Sequence, residues 1–122
     1  MNNRQENKRE DLDFRILSLL QENPNITQRE IAGAVGISLG SINYCLKALI
    51  DKGQIKIQNF RRSEHKLQYA YLLTPAGLTR KAGLAARFLV RKMQEYERLK
   101  AEIESVKRED SLRAAKSERS GR

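Results

Sequence analysis

The sequence predicts a mainly α fold with one small β-hairpin and a long helix at its C-terminal end. Three observations predict it. Apolar residues recur at helical spacing in three consecutive segments before residue 53, the period switches to two between Ile55 and Leu73, and strong helix formers then dominate from Ala76 to about Val106. The 122 residues suffice for one compact domain plus an appendage.

Residues 1–10, MNNRQENKRE, are polar and read as a flexible arm without the apolar stretch of a secretory signal. The domain proper is expected over residues 11–73. From Asp11 a helix begins whose face carries Leu12, Ile16, Leu19 and Leu20, with Leu17 beside them. Asn23-Pro24-Asn25 ends it, because a residue before proline is pushed out of the α region. Thr27-Gln28-Arg29-Glu30 is a capping box: the Thr27 hydroxyl can accept from the Glu30 amide while the Glu30 carboxylate reaches back. It opens a short helix with Ile31, Ala32 and Val35 inward, closed by Gly36. Ser38 caps a third helix, and Ile42, Cys45, Leu46, Leu49 and Ile50 form its inward face before Gly53 ends it. Two such helices joined through a glycine turn describe a helix-turn-helix.

Ile55-Lys56-Ile57-Gln58 and Leu67 to Leu73 then alternate as strands, with Ile26 able to add a short third one. The hairpin tip holds Arg61-Arg62-Ser63-Glu64-His65-Lys66, so the pattern is a helix-turn-helix with a wing. Thr74-Pro75 opens the last helix, with threonine as cap and proline in the first turn. Along residues 74–106 Leu78, Ala82, Ala85, Leu89, Lys92, Tyr96, Leu99, Ile103 and Val106 alternate at three- and four-residue steps, a heptad seam interrupted only by Lys92. A helix longer than its own domain needs a partner, so Leu84, Phe88, Leu89, Tyr96, Leu99, Ile103 and Val106 are expected to form a homodimer contact. Residues 107–122 are rich in Ser, Arg and Lys without an apolar face and read as a disordered basic tail.

The formal net charge is +9, from 24 Lys and Arg against 15 Asp and Glu. That balance favours a polyanion, nucleic acid before an anionic membrane surface. The stretch up to Ile26 carries more acidic than basic side chains, so the positive field belongs to the middle and C-terminal parts of the chain. With the inward set of the third helix buried, Ser38, Gly40, Ser41, Asn43, Tyr44 and Lys47 are left to face a major groove. Serines near a helix N-terminus suit phosphate, asparagine suits adenine, and lysine suits guanine or phosphate. Thr27 and Gln28 on the second helix, and Arg61, Arg62 and Lys66 on the wing, complete the expected double-stranded DNA surface. These residue types are also ordinary on a solvated face; it is their place in the motif that favours contact.

No nucleophile motif, phosphate-cradling glycine run or metal-ligand spacing is present, so neither an enzyme nor a cofactor is expected. His65, on a loop, and Cys45, on an inward flank, read as a solvated side chain and a small core hydrophobe. A single cysteine and the lack of a roughly 20-residue apolar stretch point to the cytoplasm and away from the membrane. Two other functions stay open on these residues: an architectural or RNA-binding protein, and a coiled-coil module for a different protein.

The run from Ile37 through Leu49 to Asp51-Lys52-Gly53, together with Tyr71-Leu72-Leu73-Thr74-Pro75-Ala76-Gly77, resembles MarR-type winged-helix regulators, in particular the group associated with exopolysaccharide biosynthesis loci. The resemblance extends over roughly Leu12 to Ile103. It implies a transcriptional regulator of an exopolysaccharide locus. As a dimer on a pseudo-palindromic operator, such a protein would repress by occupying promoter DNA; an effector stays open.

Overall fold

The structure, a computed structural model, describes residues 3–63 and 66–120, without the side chains of residues 60–68 and 120. Its elements are α1 (Asn3–Glu22), α2 (Gln28–Val35), α3 (Leu39–Asp51), β1 (Ile55–Ser63), β2 (Lys66–Leu73) and α4 (Pro75–Ser120). They fall into two units, Met1–Phe88 and Leu89–Arg122.

In the first unit, α1 starts at Asn3 rather than at Asp11, which corrects the expected flexible arm. Arg4, Gln5, Glu6, Lys8, Arg9 and Glu10 are good helix formers with no apolar stripe among them, so periodicity misses a turn that propensity favours. Glu10 also accepts from Arg87 Nε at 3.2 Å. Further along, Ile16, Leu17 and Leu20 are fully buried, as are Ile31 of α2 and Ile42, Leu46 and Leu49 of α3. Ile55 of β1 and Leu84 of α4 close this core. Burial of each such side chain contributes about 1.5–3 kcal/mol.

The local signals act as expected in the middle of the chain. Thr27 Oγ1 accepts from the Glu30 amide at 3.1 Å, and Glu30 Oε1 accepts from the Thr27 amide at 3.2 Å. Gly36 takes φ 74°, in the left-handed region open to glycine, and its amide donates to Ala32 O. α2 and α3 are bent by 108° across this turn, within the usual range for a helix-turn-helix.

β1 and β2 pair antiparallel, Ile55 opposite Leu73 and Ile57 opposite Tyr71, with an irregularity between Arg61 and Ser63. The sheet has these two strands; Ile26 adds none. Ile26 is instead a buried core side chain in the α1–α2 loop, and the Tyr71 amide donates to Pro24 O at 3.0 Å. Proline leaves no amide to return that bond, so no ladder grows from it.

The first unit runs on through the start of α4, past the boundary expected at residue 73. Thr74 caps α4: its hydroxyl accepts from the Gly77 amide at 3.1 Å and donates to Gly53 O. Asp13, with a side chain 7% exposed, meets Arg80 Nη1 at 2.7 Å, and the same nitrogen donates to Gln54 Oε1 at 2.8 Å. Leu84 is 1% exposed inside the core, so it has no surface to give a dimer, and that assignment is corrected. Phe88 lies against Phe14 with ring centroids 5.0 Å apart, so it too serves its own unit.

The second unit is the remainder of α4. Helix continues to Ser120, so the disordered tail expected over residues 107–122 is helical as far as the described residues reach. Leu112, Arg113, Ala114, Ala115 and Lys116 are strong helix formers, and an exposed helix needs no apolar face to keep its backbone bonds. Leu89, Val90, Met93, Tyr96, Leu99, Ile103 and Val106 are exposed on it. Among the described residues no single helix is long and apolar enough to cross a membrane.

Candidate nucleic-acid interface

α3 has two sharply different faces. Ile42, Leu46 and Leu49 are buried, with Cys45 and Ile50 packed partly against the same core. Gly40, Ser41, Asn43, Tyr44 and Lys47 are exposed, Tyr44 to 67%. The sequence expected this outward set, and the structure brings it together on one helix. Leu39, also exposed, joins it although sequence reasoning passed over it.

Ser38 and Ser41 form the start of the helix. Ser38 Oγ accepts from the Ser41 amide at 3.2 Å and donates to Ser41 Oγ at 2.8 Å. A Cβ at Gly40 would meet nothing within 4 Å, so the fold itself does not require glycine there.

The second-helix candidates are partly committed elsewhere. Thr27 is held in the capping box. Gln28 is half-buried and donates from Nε2 to Tyr71 Oη at 3.1 Å, which ties α2 to the hairpin. It braces the recognition unit more directly than it faces solvent. Arg61, Arg62 and Lys66 lie on β1 and β2 by backbone, but their side chains, like Glu64 and His65, fall outside the described residues.

A family model described as winged helix-turn-helix DNA-binding matches residues 9–56. An uncharacterised HTH-type transcriptional regulator of Pyrococcus furiosus is 34% identical over 97 residues, which are 80% of this chain and 60% of that protein. Among solved structures, a MarR/EmrR family transcriptional regulator from Acinetobacter sp. ADP1 is similar with a TM-score of 0.59 and 25% identity, over 70% of this chain and 58% of that one. The chain has a winged helix-turn-helix fold and is similar to MarR-type regulators. It spans less than two thirds of the length of either relative.

Two residues that tie the winged-helix unit together carry no sequence motif. Asp13 and Arg80 bind each other from α1 and α4, and Arg80 reaches Gln54 at the end of the α3–β1 turn. Their distance in sequence hides the pair. Cys45 is half-buried, and burial, with the Asp13 charge adding to it and Arg9 opposing, pushes its thiol pKa up. Less thiolate is therefore present at neutral pH than on a free cysteine, which suits packing and not redox reaction.

Proposed function

We propose that this protein is a sequence-specific, double-stranded-DNA-binding transcriptional regulator that reads its operator with the outward face of α3. The observation that carries the reading is the exposed set Gly40, Ser41, Asn43, Tyr44 and Lys47 on a helix whose opposite face is locked into the core. Asn43 and Lys47 supply the donor and acceptor groups for base edges, and the net charge of +9 supplies the sequence-independent attraction to phosphate. The protein acts without catalysis, in the cytoplasm, as a repressor by occupying promoter DNA; the sequence resemblance adds an exopolysaccharide locus as its target.

Asn43→Ala is expected to lower the affinity ratio between operator and random DNA by about 1–3 kcal/mol with a nearly unchanged salt slope. Neutralising Arg61 and Arg62 should weaken both DNAs alike and flatten the slope of log K against log salt by up to about two units. Binding isotherms at several salt concentrations, on an operator selected from random DNA, measure both. A wild-type ratio near one would instead make the protein an architectural binder.

The second part of the reading is a homodimer through the exposed seam Leu89, Tyr96, Leu99, Ile103 and Val106. An apolar row of this length on an otherwise polar helix is stabilised by a second helix. A two-fold dimer presents two α3 helices to half-sites about 34–36 Å apart. Leu99→Asp with Ile103→Asp should give monomers that bind operator more weakly. Sedimentation equilibrium decides it, and a double variant that stays dimeric would remove the seam from the interface.

A further inference from the structure

The seam on the second unit has charged flanks of opposite sign. In the heptad that places Leu89, Tyr96 and Ile103 at a and Lys92, Leu99 and Val106 at d, the g positions are Glu95, Glu102 and Glu109. The next e positions along the helix are Lys100 and Lys107. The side chains agree with this frame. Lys100 and Lys107 border one shallow groove together with Tyr96, Leu99, Ile103 and Glu104. On the other flank Glu95 Oε2 holds Lys92 Nζ at 3.2 Å, leaving its second carboxylate oxygen for another partner.

We infer that the occupant of this seam is a second copy of the chain lying parallel and in register. This rests on the homodimer reading above and adds its direction. In a parallel pair, each g residue faces the e residue five positions later on the partner helix, which brings Glu95 to Lys100 and Glu102 to Lys107, once on each side. In an antiparallel pair, g faces g and e faces e, so a row of glutamates meets glutamates and lysines meet lysines. Like charges set against each other along both flanks disfavour that arrangement. The one polar layer inside the seam sets Lys92 against Lys92 in the parallel pair and weakens it, and Glu95 of the same helix, 3.2 Å from the ammonium, offsets part of that cost.

The test uses the full chain in a Cys45→Ser background, so that only introduced thiols can cross-link. Oxidation of the Val106→Cys variant is expected to shift the chain to a disulfide-linked dimer. An equimolar mixture of Leu89→Cys and Val106→Cys chains should give the 89–89 and 106–106 products and not the 89–106 product. Lys100→Glu with Lys107→Glu should raise the dimer dissociation constant at least about ten-fold in sedimentation equilibrium, since four attractive cross-pairs become repulsive. A dominant 89–106 product, or charge variants that dimerise as well as the parent, would overturn the parallel assignment while leaving the homodimer intact. A Cys45→Ser parent that is monomeric at micromolar concentration would remove the homodimer reading itself, and the direction with it.

Discussion

Arg80→Ala is expected to destabilise the first unit by about 3–5 kcal/mol, because it strands a carboxylate that is already out of water. Asp13 has a side chain 7% exposed and a single guanidinium nitrogen at 2.7 Å. That nitrogen also satisfies Gln54 Oε1, so one substitution leaves two acceptors without their donor. The size of the loss reflects the stranded groups and not the net contribution of the pair. Replacing both partners with apolar residues of similar volume, Asp13→Leu with Arg80→Met, should recover most of it, since no charge then has to be taken out of water. Urea midpoints at constant m-value measure all three variants. A single variant within about 1 kcal/mol of the parent would show that water reaches Asp13.

Gly77→Ala comes second in expected effect, and its sign runs against helix propensity. Alanine in place of glycine inside a helix ordinarily stabilises by roughly 0.5–1 kcal/mol. At Gly77 a Cβ would lie 2.0 Å from Gln54 O and 3.0 Å from Gln54 C, both backbone atoms that cannot swing aside. Gln54 O also accepts from the Thr74 amide at 3.0 Å, so moving it breaks the junction between the α3–β1 turn and α4. Overpacking of this kind costs about 1–3 kcal/mol, enough to reverse the gain and lower Tm by several degrees in a unit of this size. Gly83 on the same helix is the internal comparison: there a Cβ would meet only Arg87 Nη1, at 3.6 Å. Gly83→Ala should therefore raise Tm while Gly77→Ala lowers it. Thermal unfolding of the two variants side by side checks the pair of signs.

Local chemistry was legible where one residue type answers one backbone need. Thr27 with Glu30, Gly36, Ser38 and Gly53 each mark a helix end, and the structure uses all of them. The outward face of α3 was legible because its inward face is strictly apolar at helical spacing. Three things were hidden. The helix before Asp11 and the helix after Val106 lack an apolar stripe, so only propensity speaks for them. Leu84 fills the chain's own core while Leu89 is exposed, and both stand in one apolar-rich stretch of α4 where residue type alone does not tell which side meets the core. The need for glycine at 77 and the Asp13–Arg80 pair arise from contacts between distant segments, which no single window contains.

The bond from the Tyr71 amide to Pro24 O has a consequence for what the hairpin can recruit. A strand's outer rim is normally a template onto which an extended peptide can zip. On β2 that rim is already occupied at Tyr71 by the α1–α2 loop, and the occupying residue is a proline that cannot pass the pattern on. A foreign peptide would have to evict Pro24 before it could bond along the base of the hairpin. The β2 edge of the wing is thus closed at its root to β-augmentation, and its backbone is kept from templating aggregates there.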